Sequence, residues 1–117
     1  MHHHDRVLSM LGLAKKAGRI AAGQFQSEEA VKSRKAQLVI VSADASANTA
    51  KKFRDMCAWR SIPFRLYTDM ETLGRSIGCE DRSVLAVTDR GFSQRILQLL
   101  EDCEKNDCLS ENTEGMQ

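Results

Sequence analysis

AQLVIVSADASANTAKK, residues 36–52, is the stretch that decides the fold. It contains four consecutive apolar residues, Leu38-Val39-Ile40-Val41, of which three are β-branched. A strand with one wet face alternates apolar and polar residues, so an unbroken run predicts a strand covered on both faces. Turn formers follow, and the side chains of Asn48 and Thr49 can accept hydrogen bonds from the first N–H groups of a new helix. The stretch therefore predicts a buried strand, a capped turn and a helix.

The residues on either side continue this alternation of helices and strands. Apolar residues at helical spacing predict helices over residues 7–14, 24–33, 50–60, 69–77 and 90–100, with Ser27 as one possible cap of the second. Short apolar runs predict three more strands, over residues 19–22, 62–67 and 83–88, and Pro63 places the middle one near a sheet edge. The third helix is expected to turn these residues towards the core: Ala50, Phe53, Met56, Cys57 and Trp59.

The order α β α β α β α β α predicts an α/β protein, a three-layer α/β/α sandwich with a small, mixed four-stranded sheet. A chain of 117 residues is long enough for one such domain, which we assign to residues 1–104. Residues 105–117 are acidic and polar and are expected to be a disordered tail.

Composition limits the compartment and the kind of partner. No apolar run approaches the ~20 residues of a membrane helix, and no signal peptide is evident, so we expect a cytoplasmic protein that does not enter a membrane. Residues 1–100 carry 16 Lys and Arg against 10 Asp and Glu, whereas residues 101–117 carry one Lys and six acids. A basic body with an acidic tail suits an anionic partner for the body.

The sequence offers little for catalysis or metal binding. The three histidines are residues 2–4, the four cysteines form no CxxC pair, and neither of the common glycine-rich phosphate loops is present. Asp44 and Asp89 follow core strands, but aspartates at such positions usually cap turns and helices. We therefore expect a protein that is not an enzyme and that has neither a metal nor a cofactor.

A candidate binding site surrounds the turn at Gly23. A helix that begins there offers free N–H groups to an anion or a base edge, and Phe25 could either stack on an unpaired base or pack in the core. Amide side chains suit base edges, and cations suit phosphates. The loop at residues 79–82 could lie at the same end of the sheet. The candidate RNA contacts are Gly23, Gln24, Phe25, Gln26, Lys32 and Arg82, with Lys15 and Lys16 steering the RNA.

The chain resembles the kink-turn RNA-binding ribosomal proteins of the large-subunit seven-Ae and thirty-e types and, among them, the bacterial YlxQ-like branch. The matching motifs are LGLAKKAGRIAAG at residues 11–23, ADASANT at 43–49, LGRSIG at 73–78 and VTDRGF at 87–92. The resemblance implies an α/β/α sandwich, monomeric and ribosome-associated, that binds RNA with a kink-turn, a sharply bent internal loop.

The resemblance also implies where the RNA would bind. The family reads sheared G·A pairs with a Gly-x-Asn-Glu-x-x-Lys pattern and packs the loop before the last strand on an extruded base. Here the Gly is Gly23, but Phe25, Gln26 and Glu29 stand at the Asn, Glu and Lys positions. In the loop, Ile77 and Cys79 are the nearest apolar candidates for packing on a base.

Two other functions remain open at this point. Phe25 and Glu29 make the site more apolar and less basic, which also suits a protein-interaction module on the same fold. The turn Asp44-Ala45-Ser46 follows a core strand, where α/β proteins often bind small ligands, so a nucleotide binder or a small enzyme is the third possibility.

Overall fold

Helices and strands alternate along the part of the chain described by the computed structural model, residues 2–102. The elements are α1 (His2–Lys16), β1 (Ile20–Ala22), α2 (Gln24–Lys32), β2 (Leu38–Val41), α3 (Ala47–Arg60), β3 (Phe64–Leu66), α4 (Met70–Ser76), β4 (Val84–Val87) and α5 (residues 90–102). This is the predicted order of elements.

The four strands form one mixed sheet in the order β1-β4-β2-β3. β4 is antiparallel to both of its neighbours, whereas β2 and β3 are parallel. Val39 of β2 lies opposite Ala86 of β4 and Phe64 of β3, and Ala86 also lies opposite Ala21 of β1, so β2 and β4 are the central strands. β3 is an edge strand, as Pro63 predicts. The mixed four-stranded sheet is confirmed.

Every residue of β2 is buried, because helices cover both faces of the sheet. Leu38 and Ile40 pack with residues of α1, α4 and α5, whereas Val39 and Val41 pack with residues of α2 and α3. The predicted three-layer α/β/α sandwich is therefore confirmed. The fully buried side chains on the second face include Val31, Phe53 and Cys57, and those on the first include Val7, Leu11, Leu73 and Ile96.

The sheet has two ends, and the candidate site lies at one of them. β1, β2 and β3 end where β4 begins, and we call this end the Gly23 edge after the residue that follows β1. α2 leads from the end of β1 to the start of β2, and α3 leads from the end of β2 to the start of β3. Both helices therefore begin at the Gly23 edge and end at the opposite edge.

The expected side-chain caps of α2 and α3 are both wrong. The cap of α3 is Ser46, whose Oγ accepts a hydrogen bond from the Thr49 N–H at 3.1 Å; neither Asn48 nor Thr49 is the cap. α2 begins directly after Gly23 and has no side-chain cap. Ser27 instead lies buried inside that helix, where its hydroxyl donates to the Ala21 carbonyl at 3.2 Å.

The aspartates that follow the core strands hold helices, as expected. Asp89 Oδ2 accepts from the Phe92 N–H at 2.8 Å at the start of α5. Asp44 Oδ1 accepts from the Met70 N–H at 3.0 Å, which joins the turn after β2 to the start of α4. These bonds give both carboxylates a structural role.

Trp59 does not turn towards the core. It is 77% exposed, although Cys57 two residues earlier is fully buried. Burial raises the pKa of the Cys57 thiol to about 11, so this side chain acts as a small apolar core residue. The predicted acidic tail lies outside the described residues. Within residues 2–102, no helix has both the length and the apolar character that crossing a membrane requires.

Candidate functional site

The backbone at Gly23 leaves the start of α2 open. Gly23 has φ +90°, a conformation that side-chain-bearing residues rarely adopt. Its N–H donates to the Val84 carbonyl at 2.9 Å, and its carbonyl accepts from the Ser27 N–H at 3.0 Å. The N–H groups of residues 24–26 have no carbonyl one turn earlier in the helix to bond to. They are therefore available to an anion or a base edge at the positive end of the helix dipole.

Arg82 lies beside Gly23, as the sequence predicted for the loop before β4. A Cβ atom on Gly23 would lie 3.8 Å from Cδ of Arg82 and 3.9 Å from its Nε, an ordinary contact distance. The guanidinium donates to the Asp81 carbonyl at 2.9 Å and lies 3.4 Å from that of Glu80. The loop itself thus holds a half-buried cation next to the open start of α2.

Gly74 sets the position of that loop. A Cβ atom on Gly74 would lie 1.9 Å from the Glu80 carbonyl oxygen and 3.0 Å from the Arg82 nitrogen. The loop therefore rests directly on the backbone of α4, and the Arg82 N–H donates to the Met70 carbonyl at 3.1 Å. Gly74 is a contributor that the sequence reasoning missed, and its place inside a predicted helix was the signal.

A second helix begins next to α2. Gln24 Nε2 lies 3.3 Å from Oγ1 of Thr49, and Ser46 Oγ lies 3.0 Å from the same Thr49 atom. Since α2 and α3 both begin here, two positive dipole ends and a cluster of exposed polar side chains share one surface. The sequence reasoning identified Gln24 but not Ser46 or Thr49 as part of the site. Their position directly after the core strand β2 was the available signal.

Phe25 and Gln26 are exposed at the start of α2. Phe25 is 76% exposed, so the core alternative for this ring is wrong. Gln26 and Glu29 line an open groove of about 410 Å³ between α2 and the outer side of β1, together with Ile20 and Ala21. Gln24 and Gln26 therefore face opposite sides of α2, with Phe25 between them.

Farther along α2, Glu28 links α2 to α3 through an ion pair. Its carboxylate accepts from Lys52 of α3 at 2.8 Å and pairs with Lys32 at 2.9 Å. The hydrogen bonds from Lys52 and Lys32 lower the pKa of Glu28 from 4.5 to about 2. Lys32 and Lys52 are therefore neutralised in part by the protein itself.

Three of the predicted cations do not lie at the Gly23 edge. Lys32 is the last residue of α2, about 12 Å along the helix axis from Gln24 at ~1.5 Å per residue. Lys15 and Lys16 end α1, which leads into the start of β1, and they are exposed at the opposite edge. Ile77 is 95% buried in the core, so it cannot pack on a base, whereas Cys79 is partly exposed.

The Gly23 edge thus combines two helix starts, an amide side chain on each side of an exposed ring, and an arginine. The helix starts and the arginine suit phosphates, the amide side chains suit base edges, and the ring suits an unpaired base. Over the described residues, no three His, Cys, Asp or Glu side chains come close enough to hold a metal ion.

These features define a class, a small α/β/α domain that presents helix starts and one loop as a binding surface. The chain belongs to the ribosomal protein L7Ae/L30e/S12e/Gadd45 family, whose model matches residues 5–97.

Two relatives carry the name RNA-binding protein YlxQ. The protein from Bacillus subtilis (strain 168) is 40% identical over 92 residues, which are 79% of this chain and 92% of the relative. The protein from Enterococcus faecium is 31% identical over 100 residues, 85% of this chain and 95% of the relative. This chain therefore spans nearly the whole length of both.

Solved structures confirm the fold. A protein of unknown function from Bacillus halodurans is similar with a TM-score of 0.79 and 39% identity, over 81% of this chain and 96% of that one. The Giardia lamblia 15.5kD RNA binding protein is similar with a TM-score of 0.75 over 90% of each chain. The latter is only 18% identical, so it supports the architecture alone.

Proposed function

We propose that this chain is a non-catalytic RNA-binding protein that recognises kink-turn-like RNA at the Gly23 edge and associates with the ribosome. The observation that carries the proposal is the open start of α2 at Gly23, flanked by Arg82 and by the exposed Phe25. Membership of a ribosomal-protein family and two relatives named as RNA-binding proteins support it.

Each group at the edge has a role in this proposal. The free N–H groups of α2 and the guanidinium of Arg82 bind phosphates, which positions the RNA. Gln26 presents an amide to the edges of the G·A pairs, because an amide both donates and accepts. Phe25 offers a flat apolar surface to the base that the bend extrudes.

Glu29 limits the surface that RNA can approach. It stands where the family pattern has Lys, and it lines the groove beyond Gln26. A carboxylate repels phosphates, so the proposal places the RNA backbone on the Phe25 and Arg82 side of α2. The chain would then read the RNA with a variant set of contacts.

The test is the replacement of Gln26 by Ala, with Gln98→Ala on α5 as the matched control. Gln98 is exposed in the helix layer on the other face of the sheet, so its loss should leave binding unchanged. Loss of a base contact is worth about 1–3 kcal/mol, so Gln26→Ala should weaken kink-turn binding by roughly tenfold or more. Affinity for an unrelated RNA duplex should stay the same. An equal loss on both RNAs would show that Gln26 does not read bases.

The second candidate is a protein-interaction module, and the exposed ring of Phe25 favours it because such rings anchor protein interfaces. The two functions differ in their response to nuclease. Partners that remain on the immobilised protein after nuclease treatment would support the protein interface. Loss of every partner would support RNA. On either function we propose a cytoplasmic monomer.

A further inference from the structure

The single tryptophan of the chain lies on the same side of α3 as the candidate RNA site. Thr49, Lys52, Met56 and Trp59 follow one another at helical spacing, i, i+3, i+7 and i+10, and so form one stripe. Thr49 contacts Gln24 and Lys52 contacts Glu28, so this stripe faces α2. We call this stripe the seam: it starts beside α2 at the Gly23 edge and ends at Trp59, near the end of α3.

The seam has the length of a short nucleic-acid strand. Ten residues separate Thr49 from Trp59, which is about 15 Å at ~1.5 Å per helical residue. A strand with about 3.4 Å per stacked nucleotide covers that distance in roughly four nucleotides. An RNA strand that leaves the Gly23 edge along α3 would thus reach the indole ring.

Trp59 is presented as a stacking surface. It is 77% exposed, and the Arg60 guanidinium lies 5.2 Å from the ring centre. The Arg60 side chain is itself held by a hydrogen bond of 3.2 Å to the Met56 carbonyl. An exposed aromatic ring with a cation beside it is a surface on which an unpaired base can stack.

The cations at the opposite edge would attract either RNA or an acidic peptide. Their combination with the exposed ring of Trp59 favours RNA. Asp55, the acid one turn before Trp59, is paired with Lys51 at 2.8 Å. α2 and α3 both end at this edge, so the exposed cations that follow α2, Arg34 and Lys35, lie at the same end of the sheet as Trp59. Lys32, the last residue of α2, lies there too but is paired with Glu28.

From this geometry we infer that Trp59 and Arg60 form a second RNA contact, which stacks an unpaired base of a strand that flanks the structured RNA. The inference rests on the proposed function, because the strand is taken to arrive from the Gly23 edge. It adds to that function a preference for RNA with a single-stranded extension.

The experiment compares a minimal kink-turn RNA with the same RNA carrying about six unpaired adenosines, first on one strand and then on the other, a length chosen to exceed the seam. Because Trp59 is the only tryptophan, its fluorescence reports on this site alone. The minimal RNA should leave the fluorescence unchanged. One of the extensions should quench it and tighten binding by about tenfold, the range expected for one stacked base.

Variants separate stacking from charge. With fluorescently labelled RNA, Trp59→Ala should abolish the gain from the extension, whereas Trp59→Phe should keep most of it. The matched control is Arg54→Gln, because Arg54 lies on the β3 side of α3, 5.5 Å from the Phe64 ring. It removes one positive charge without touching the seam, and the gain should survive.

The outcomes distinguish the inference from the proposed function. Tight binding of the minimal RNA with no effect of either extension would overturn the inference and leave the proposed function intact. No binding of the minimal RNA would count against the proposed function, while quenching by the unpaired strand alone would still support the Trp59 contact. Equal quenching by polyglutamate and by the RNA strand would overturn the inference in favour of an acidic protein partner.

Discussion

Replacing Gly74 by Ala should disturb the loop that carries Arg82. The new Cβ atom would lie 1.9 Å from the Glu80 carbonyl oxygen and 2.7 Å from its carbon. Real Cβ atoms stay at least 3.0 Å from such neighbours, so the Glu80 backbone must move by more than about 1 Å. Both obstructing atoms belong to the backbone, so no change of side-chain rotamer can relieve the contact.

The shift should weaken two hydrogen bonds that anchor the loop to α4. The Cys79 N–H donates to the Gly74 carbonyl at 2.9 Å, and the Arg82 N–H donates to that of Met70 at 3.1 Å. Overpacking of this kind costs about 1–3 kcal/mol, and the better helix propensity of Ala returns up to about 1 kcal/mol. A net loss near 1–2 kcal/mol would lower Tm by roughly 4–16 °C for a domain of this size.

Circular dichroism would measure Tm, and fluorescence anisotropy would measure the Kd for kink-turn RNA, which we expect to rise by about tenfold as Arg82 moves. The matched control is Gly91→Ala in α5. There the nearest atom to the added Cβ is Oδ2 of Asp89 at 3.3 Å, a side-chain atom that needs to shift by only a few tenths of an ångström, so Tm should change much less than in Gly74→Ala. A Gly74→Ala protein with unchanged Tm and unchanged Kd would refute the reasoning.

Two further predictions concern the α2 and α3 pair. Glu28 has a pKa of about 2 in the folded protein against 4.5 ordinarily, so its stabilising effect is complete above pH 4.5 and is lost as the pH falls towards 2. Across that range the Tm of the unaltered protein should fall more steeply than that of Glu28→Gln, and parallel curves would contradict the ion pair. Ser46→Ala removes the α3 cap and should cost about 1 kcal/mol in chemical unfolding, whereas Asn48→Ala should cost less than half of that. Equal losses would refute the cap assignment.

The fold could be predicted because its main signals are local. The unbroken apolar run at residues 38–41 predicted a strand covered on both faces of the sheet, and Pro63 predicted that the strand after it lies at a sheet edge. The residue that caps α3 could not be identified from the sequence, because Ser46, Asn48 and Thr49 all carry side-chain oxygens that can accept a hydrogen bond from a backbone N–H. Only the backbone angles of the turn select Ser46.

The candidate site could be predicted only in part. The proximity of Gly23 and Arg82 could be predicted, because each stands at the junction of two elements at one end of the sheet. The sequence could not show at which edge of the sheet Lys15, Lys16 and Lys32 lie. That position depends on helix length and strand direction, and not on the residue type. Trp59 was misassigned because it follows the partly buried Met56 by three residues, close to one helical turn. It follows the core residue Cys57 by only two, which places it about 200° around α3 from that residue and towards solvent.

The central claim is that the Gly23 edge reads a kink-turn. The most direct measurement is the affinity of the full chain for a fluorescent kink-turn RNA and for the same RNA with its G·A pairs replaced, at two salt concentrations. The account predicts tight binding that requires the G·A pairs and keeps this preference as salt weakens the phosphate contacts. Weak binding that is equal for both RNAs and disappears in salt would contradict it.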